Sequence, residues 1–100
     1  MSLIQKLPLA KDNFFVDFTA QLGALETISN PTASAFDQTL NQDATSIFIG
    51  TPSPVVSGNK AIFWYQGGSP GHTYVVSVTV QTSLNRILEG TVVFEVVPNI

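Results

Sequence analysis

No cysteine occurs among the 100 residues, which excludes disulfides, thiolate chemistry and cysteine-based zinc sites and leaves the compartment open. A single histidine, His72, makes a transition-metal site a poor prospect, since such sites draw on several His or Cys ligands. Charge is scarce as well: 11% of residues, against the ~25% of an ordinary domain. The four basic residues, Lys6, Lys11, Lys60 and Arg86, are scattered, so no surface that tracks phosphates, and no nucleic-acid partner, is expected. Apolar runs stop far short of the ~20 residues of a membrane helix, so no membrane partner is expected either. The N-terminus shows no signal-peptide apolar region, and Met1-Ser2-Leu3 is given no part in the fold. No helix-length segment repeats its apolar residues every 3.6 positions, which argues against an α/β arrangement.

What is present is hydrophobic bulk, 44% of the chain, with a formal charge of only −3. One domain spanning 1–100 is expected, burying roughly two-thirds of its unfolded surface. Abundant Thr, Ser, Asn and Gln give a β-protein surface with uncharged area free for contact with other proteins.

In chain order, residues 1–10 read as a lead-in or edge strand, with Pro8 confined to an edge. Phe14, Val16 and Phe18 alternate with Phe15 and Asp17, the signature of a half-buried strand. A helical turn near 19–22 and a strand over 26–29 follow, closed by a turn at Asn30-Pro31. Residues 32–42 are polar and hold at most a short strand. The run 45–49 reads as a strand before the breakers at 50–54, and Ser57-Gly58-Asn59 as a turn into the next strand. Turn signals every 8 to 15 residues favour an antiparallel sandwich or small barrel.

Residues 61–97 form an aromatic-rich meander holding Trp64 and both tyrosines, Tyr65 and Tyr74. Tyr74, Val76, Val78 and Val80 share a core face, as do Leu88, Gly90, Val92, Phe94 and Val96. Gly90 within that strand signals a bulge or a close backbone approach. The segment 61–65 is apolar on both faces, hence central or in contact with a partner, with Trp64 and Ile62 assigned to the core side. Tyr74 follows the glycine-rich connection, where a tyrosine corner would bond back to the preceding backbone; a buried tyrosine without that bond fits the sequence too.

No catalytic, cofactor or metal residue emerges. His72 reads as a solvated loop histidine with no carboxylate fixed near it, and Glu89 and Glu95 lie roughly 20 Å apart along one strand, too wide for a catalytic pair. Asp37 and Asp43 lack calcium-loop spacing, so caps and turns are their ordinary use, and Asp17 is assigned a structural role. Gln66-Gly67-Gly68-Ser69-Pro70-Gly71 lacks the Lys and the helix of a phosphate cradle. Phe15, Phe63 and Tyr65, if exposed, would form a carbohydrate platform. The residues singled out for structural or contact roles are Trp64, Tyr65, Phe63, Tyr74, Gly67, Gly68 and Gly71.

The run Gly67-Gly68-Ser69-Pro70-Gly71-His72-Thr73-Tyr74, then Gln81-Thr82-Ser83-Leu84-Asn85-Arg86, resembles a pattern of small phage and prophage virion proteins. Lys11-Asp12, Asp17-Phe18, Leu22-Gly23 and Thr27-Ile28-Ser29 stand in matching order; Phe18 replaces the usual Trp, and Asn85 the usual Gly. The resemblance implies a disulfide-free immunoglobulin-like antiparallel β-sandwich of about seven strands. It implies a non-enzymatic structural or assembly component of a phage particle, of the fiber, tail-adaptor or head–tail type, with no cofactor. Such a protein is made in the bacterial cytoplasm, resides in the virion, and contacts other virion proteins or copies of itself. The alternative expectation is a carbohydrate- or surface-binding module of a bacterial protein.

Overall fold

Alternation of apolar and polar residues sets most of the strands, and the apolar sets meet between two sheets. The computed structural model describes residues 2–97. The strands are β1 (Ser2–Lys6), β2 (Asp12–Asp17), β3 (Ile28–Asp37), β4 (Gln42–Asp43), β5 (Val55–Ser57), β6 (Lys60–Tyr65), β7 (Thr73–Thr82) and β8 (Ile87–Val96). A 3-10 turn at Thr19–Gln21 and one helical turn, α1 (Thr45–Phe48), complete the elements. One sheet runs β1-β8-β7-β3-β4 and the other β2-β6-β5, forming an all-β sandwich. Only β1 lies parallel to its neighbour among the described strands.

The long β7–β8 hairpin is the spine. Tyr74, Val76, Val78, Val80, Val92, Phe94 and Val96 are all buried, as the alternation predicts. From the three-stranded sheet, Ala61 and Phe63 close onto them, with Phe18 beside β2. Gly90 sits in regular register opposite Val78, so it marks a close approach and not a bulge. A Cβ there would lie 2.6 Å from Val16 Cγ1.

Five expectations are corrected. Ser2 and Leu3 belong to a strand, because β1 lies along the far half of β8, from Val92 to Val96; Met1 falls outside the described residues. Asn30-Pro31 lies inside β3: Ser29 pairs with Gln81 and Thr32 with Thr79, leaving Asn30 and Pro31 opposite one residue. Asn30 takes φ +50 there, so the same left-handed tolerance that suggested a turn makes a bulge. That bulge also carries the strand on through a polar segment to Asp37. Residues 45–48 wind into a helical turn, Phe48 N–H donating to the Ala44 carbonyl at 2.9 Å, because this tucks Phe48 fully into the core. On β6 the core side carries Ala61 and Phe63, while Ile62 and Trp64 lie half-buried on the outer face. The register explains it: Phe63 faces Phe14 and Ala61 faces Val16, so the strand's odd positions share the inner face of β2.

Candidate functional site

The outer face of the three-stranded sheet is the first candidate. Val55 and Phe15 both pair with Ile62, so the three side chains form one cross-strand row. Phe15 is 47% and Val55 43% exposed. Trp64 extends the row on one side, paired with Asn13. On the other side Asp17 pairs with Lys60, whose Nζ lies 4.5 Å from the centre of the Phe15 ring. Asp17 Oδ1 accepts from the Thr19 hydroxyl at 2.6 Å and the Thr19 N–H at 2.9 Å. Those bonds hold its carboxyl below the usual range and brace the 3-10 turn, the structural role expected of it.

Two clamps hold the ends of the β7–β8 hairpin. Where β7 begins, Phe48 stacks on Tyr74 at 4.7 Å and on Tyr65 at 6.2 Å. Gly68 closes over them at φ +94, where a Cβ would meet Val96 Cγ2 at 2.8 Å and Tyr74 Cε2 at 3.2 Å. The Ser69 N–H donates to Tyr74 Oη at 2.8 Å, the bond back to the preceding connection that defines a tyrosine corner. Buried Lys6 donates to the carbonyls of Gly67 at 2.5 Å and Leu7 at 2.8 Å, with its Nζ 5.8 Å from the Phe48 ring centre. Burial pulls its pKa below the ordinary lysine value.

At the opposite end, Glu26 accepts from Arg86 Nη2 at 2.6 Å, Arg86 Nε at 3.0 Å and the Gly23 N–H at 2.8 Å. These bonds bring its carboxyl down to about 2. Arg86 Nη2 also donates to the Gln21 carbonyl, so one side chain ties the β2–β3 connection to the β7–β8 turn. Beside the clamp, Leu25 is fully exposed at φ +64 and Leu84 two-thirds exposed.

His72 is not a free loop residue. Its Nδ1 lies 2.8 Å from Asp37 Oδ2, while Asp37 Oδ1 accepts from the Thr39 and Leu40 N–H groups. Burial alone would raise the Asp37 carboxyl, and these bonds outweigh it and bring it below its ordinary value. The pair joins the β3–β4 turn to the head of β7. No hydroxyl bonds the ring's other nitrogen among the described residues.

The residues singled out from sequence therefore separate. Tyr65, Tyr74 and Gly68 gather around Phe48, and Gly67 and Gly71 give the connection its left-handed backbone. Phe63 is wholly buried, so the imagined platform of Phe15, Phe63 and Tyr65 does not form. Trp64 stands apart on the outer face with Ile62. Sequence reading missed the Phe15–Ile62–Val55 row, because Val55 joins it only through hairpin register.

These features define a small, sparsely charged β-sandwich. The family model of the podophage GP4 fiber-tail adaptor protein gp77 matches residues 6–95, and the chain belongs to that family. It is a structural assembly component of a phage particle and resides in the virion, as the resemblance implied. A comparison with curated proteins finds no match.

Proposed function

We propose that this domain joins tail and fiber proteins by protein contact alone, without catalysis, and that it does so through the outer face of β2-β6-β5. The carrying observation is the apolar row Phe15–Ile62–Val55, flanked by Trp64, on a sheet whose inner face already fills the core. A face of aromatic and β-branched residues with only Asp17 and Lys60 charged at its margin suits a protein partner. Scattered basic residues support the reading that nucleic acid is not a partner, and no helix among the described residues is long and apolar enough to cross a membrane. Contacts between copies belong to the same proposal, since a flat apolar face serves either.

An immunoglobulin-like reading of the sandwich is supported by β8-β7-β3 facing β2-β6-β5, the partition of the G-F-C and B-E-D strands in such domains. The Tyr74–Ser69 bond supports it further. A single domain is supported by one buried cluster shared by both sheets.

The function is tested by complementing a phage that lacks this gene with Phe15→Asp and Val55→Asp variants. Folded variants with native circular dichroism are expected to stay out of the particle. Normal incorporation of both would defeat the proposal.

A further inference from the structure

Strand β8 is ten residues long, but β1 covers only the half from Val92 to Val96. The edge over residues 87–91 has no partner among the described residues. Val96 N–H donates to the His72 carbonyl and Thr82 N–H to the Arg86 carbonyl, so even-numbered residues of β8 bond to β7. The Val97 N–H, at an odd position, donates to Lys6 of β1. Ile87 and Glu89 therefore turn their N–H and C=O groups outward with nothing among the described residues to receive them. An unpaired edge of this kind is a template for another strand.

The surroundings say which strand. Odd positions of β8 send their side chains to the outer face, where β1 already shows the pairing rule: Gln5 lies opposite Glu95 and its Nε2 reaches Glu95 Oε1 at 3.4 Å. Glu89 shares that face, lies opposite only Thr79 across the ladder, and has no ion-pair partner among the described residues. A residue added opposite Glu89 meets an unpaired carboxylate. On the inner side, a groove opens between residues 14–17 of β2 and 89–92 of β8. Gly90 brings no side chain to it, and Phe14 and Val16 supply its apolar wall. Asp17 also reaches the rim, its carboxylate held by the Thr19 N–H and hydroxyl.

A second copy fits poorly. Two β8 edges paired antiparallel about this point would set Glu89 against Glu89, a like-charge cross-strand pair that destabilises the ladder.

We propose that the free edge at 87–91 of β8 accepts an extended segment of a neighbouring virion protein, which adds as a strand with a basic residue opposite Glu89 and small apolar residues turned into the groove. The partner's place in the virion rests on the adaptor reading above; the edge chemistry does not.

The test uses the purified chain and two synthetic peptides of alternating Val and Thr, one with a central Lys and its twin with a central Glu. Backbone amide spectra would be followed to millimolar peptide. The Lys peptide is expected to shift and protect the amides of Ile87 and Glu89 and to bind at least about fivefold more tightly than its twin, the scale of a cross-strand charge pair. Glu89→Lys should reverse that preference while leaving the fold intact. Equal affinity of the two peptides, no binding at millimolar concentration, protection at the β4 or β5 edge instead, or dimerisation of the chain through 87–91 would each overturn the proposal. Because no particle is involved, failure here is distinct from failure of the adaptor reading.

Discussion

Gly68 meets two demands at once: a φ of +94, and a wall of Val96, Tyr74 and Phe48 where a Cβ would project. Gly68→Ala should therefore cost at least about 2 kcal/mol in chemical denaturation, combining left-handed strain with overpacking. Tyr74→Phe removes only the acceptor for Ser69 N–H, and since Ser69 is exposed to water the loss should be about 1 kcal/mol. Glu26 supplies a pH signature. Its folded pKa of about 2 lies below the ordinary value of 4.5, so its stabilisation is present above pH 4.5 and is lost as pH falls towards 2. Thermal melts should show the native chain losing its advantage over Glu26→Gln within that window. A constant gap across it would remove Arg86 as the reason. The local parts of this chemistry were readable: Asn85, at φ +62, does what the glycine of the related pattern does. The pairings of His72 with Asp37 and Arg86 with Glu26 span 35 and 60 residues, and nothing local announces them.

Elements with strict alternation, β7 and β8, read correctly because a period of two admits a single apolar face. Where both faces of a strand are apolar, as in β6, that signal vanishes, and only register with β2 decides which face is inner. The corrected facing has a direct consequence. Phe63→Ala should cost about 3–5 kcal/mol, as for a buried aromatic, and Trp64→Ala clearly less, because Trp64 is half-buried on the outer face. Urea denaturation of both variants checks this, and the reverse order would restore Trp64 to the core. The segment 45–48 likewise departs from the strand its residues predict. Its β-branched residues suggest a strand, yet one helical turn is what delivers Phe48 between Tyr65 and Tyr74. Tertiary placement overrode propensity. Asn30-Pro31 shows the converse, a correctly identified backbone preference used for a bulge.

At the scale of the whole molecule, two sheets share one core and leave their outer faces weakly charged, which suits a part whose work is contact. The fold class and the phage resemblance were legible because turn residues and strand alternation carry both. The contact row was not, because Phe15, Ile62 and Val55 come from three strands and meet only through register. The absence of cysteine makes that row directly measurable, since Ile62→Cys would carry the chain's one thiol. Its reaction with a thiol reagent should be compared in the free protein and in assembled particles. If the outer face of β2-β6-β5 joins tail to fiber, the thiol reacts in the free protein and is shielded in the particle, while a thiol at Ser34→Cys, exposed on the outer face of the other sheet, serves as the reference. Equal reactivity of the position-62 thiol in both states would contradict the role assigned to this face.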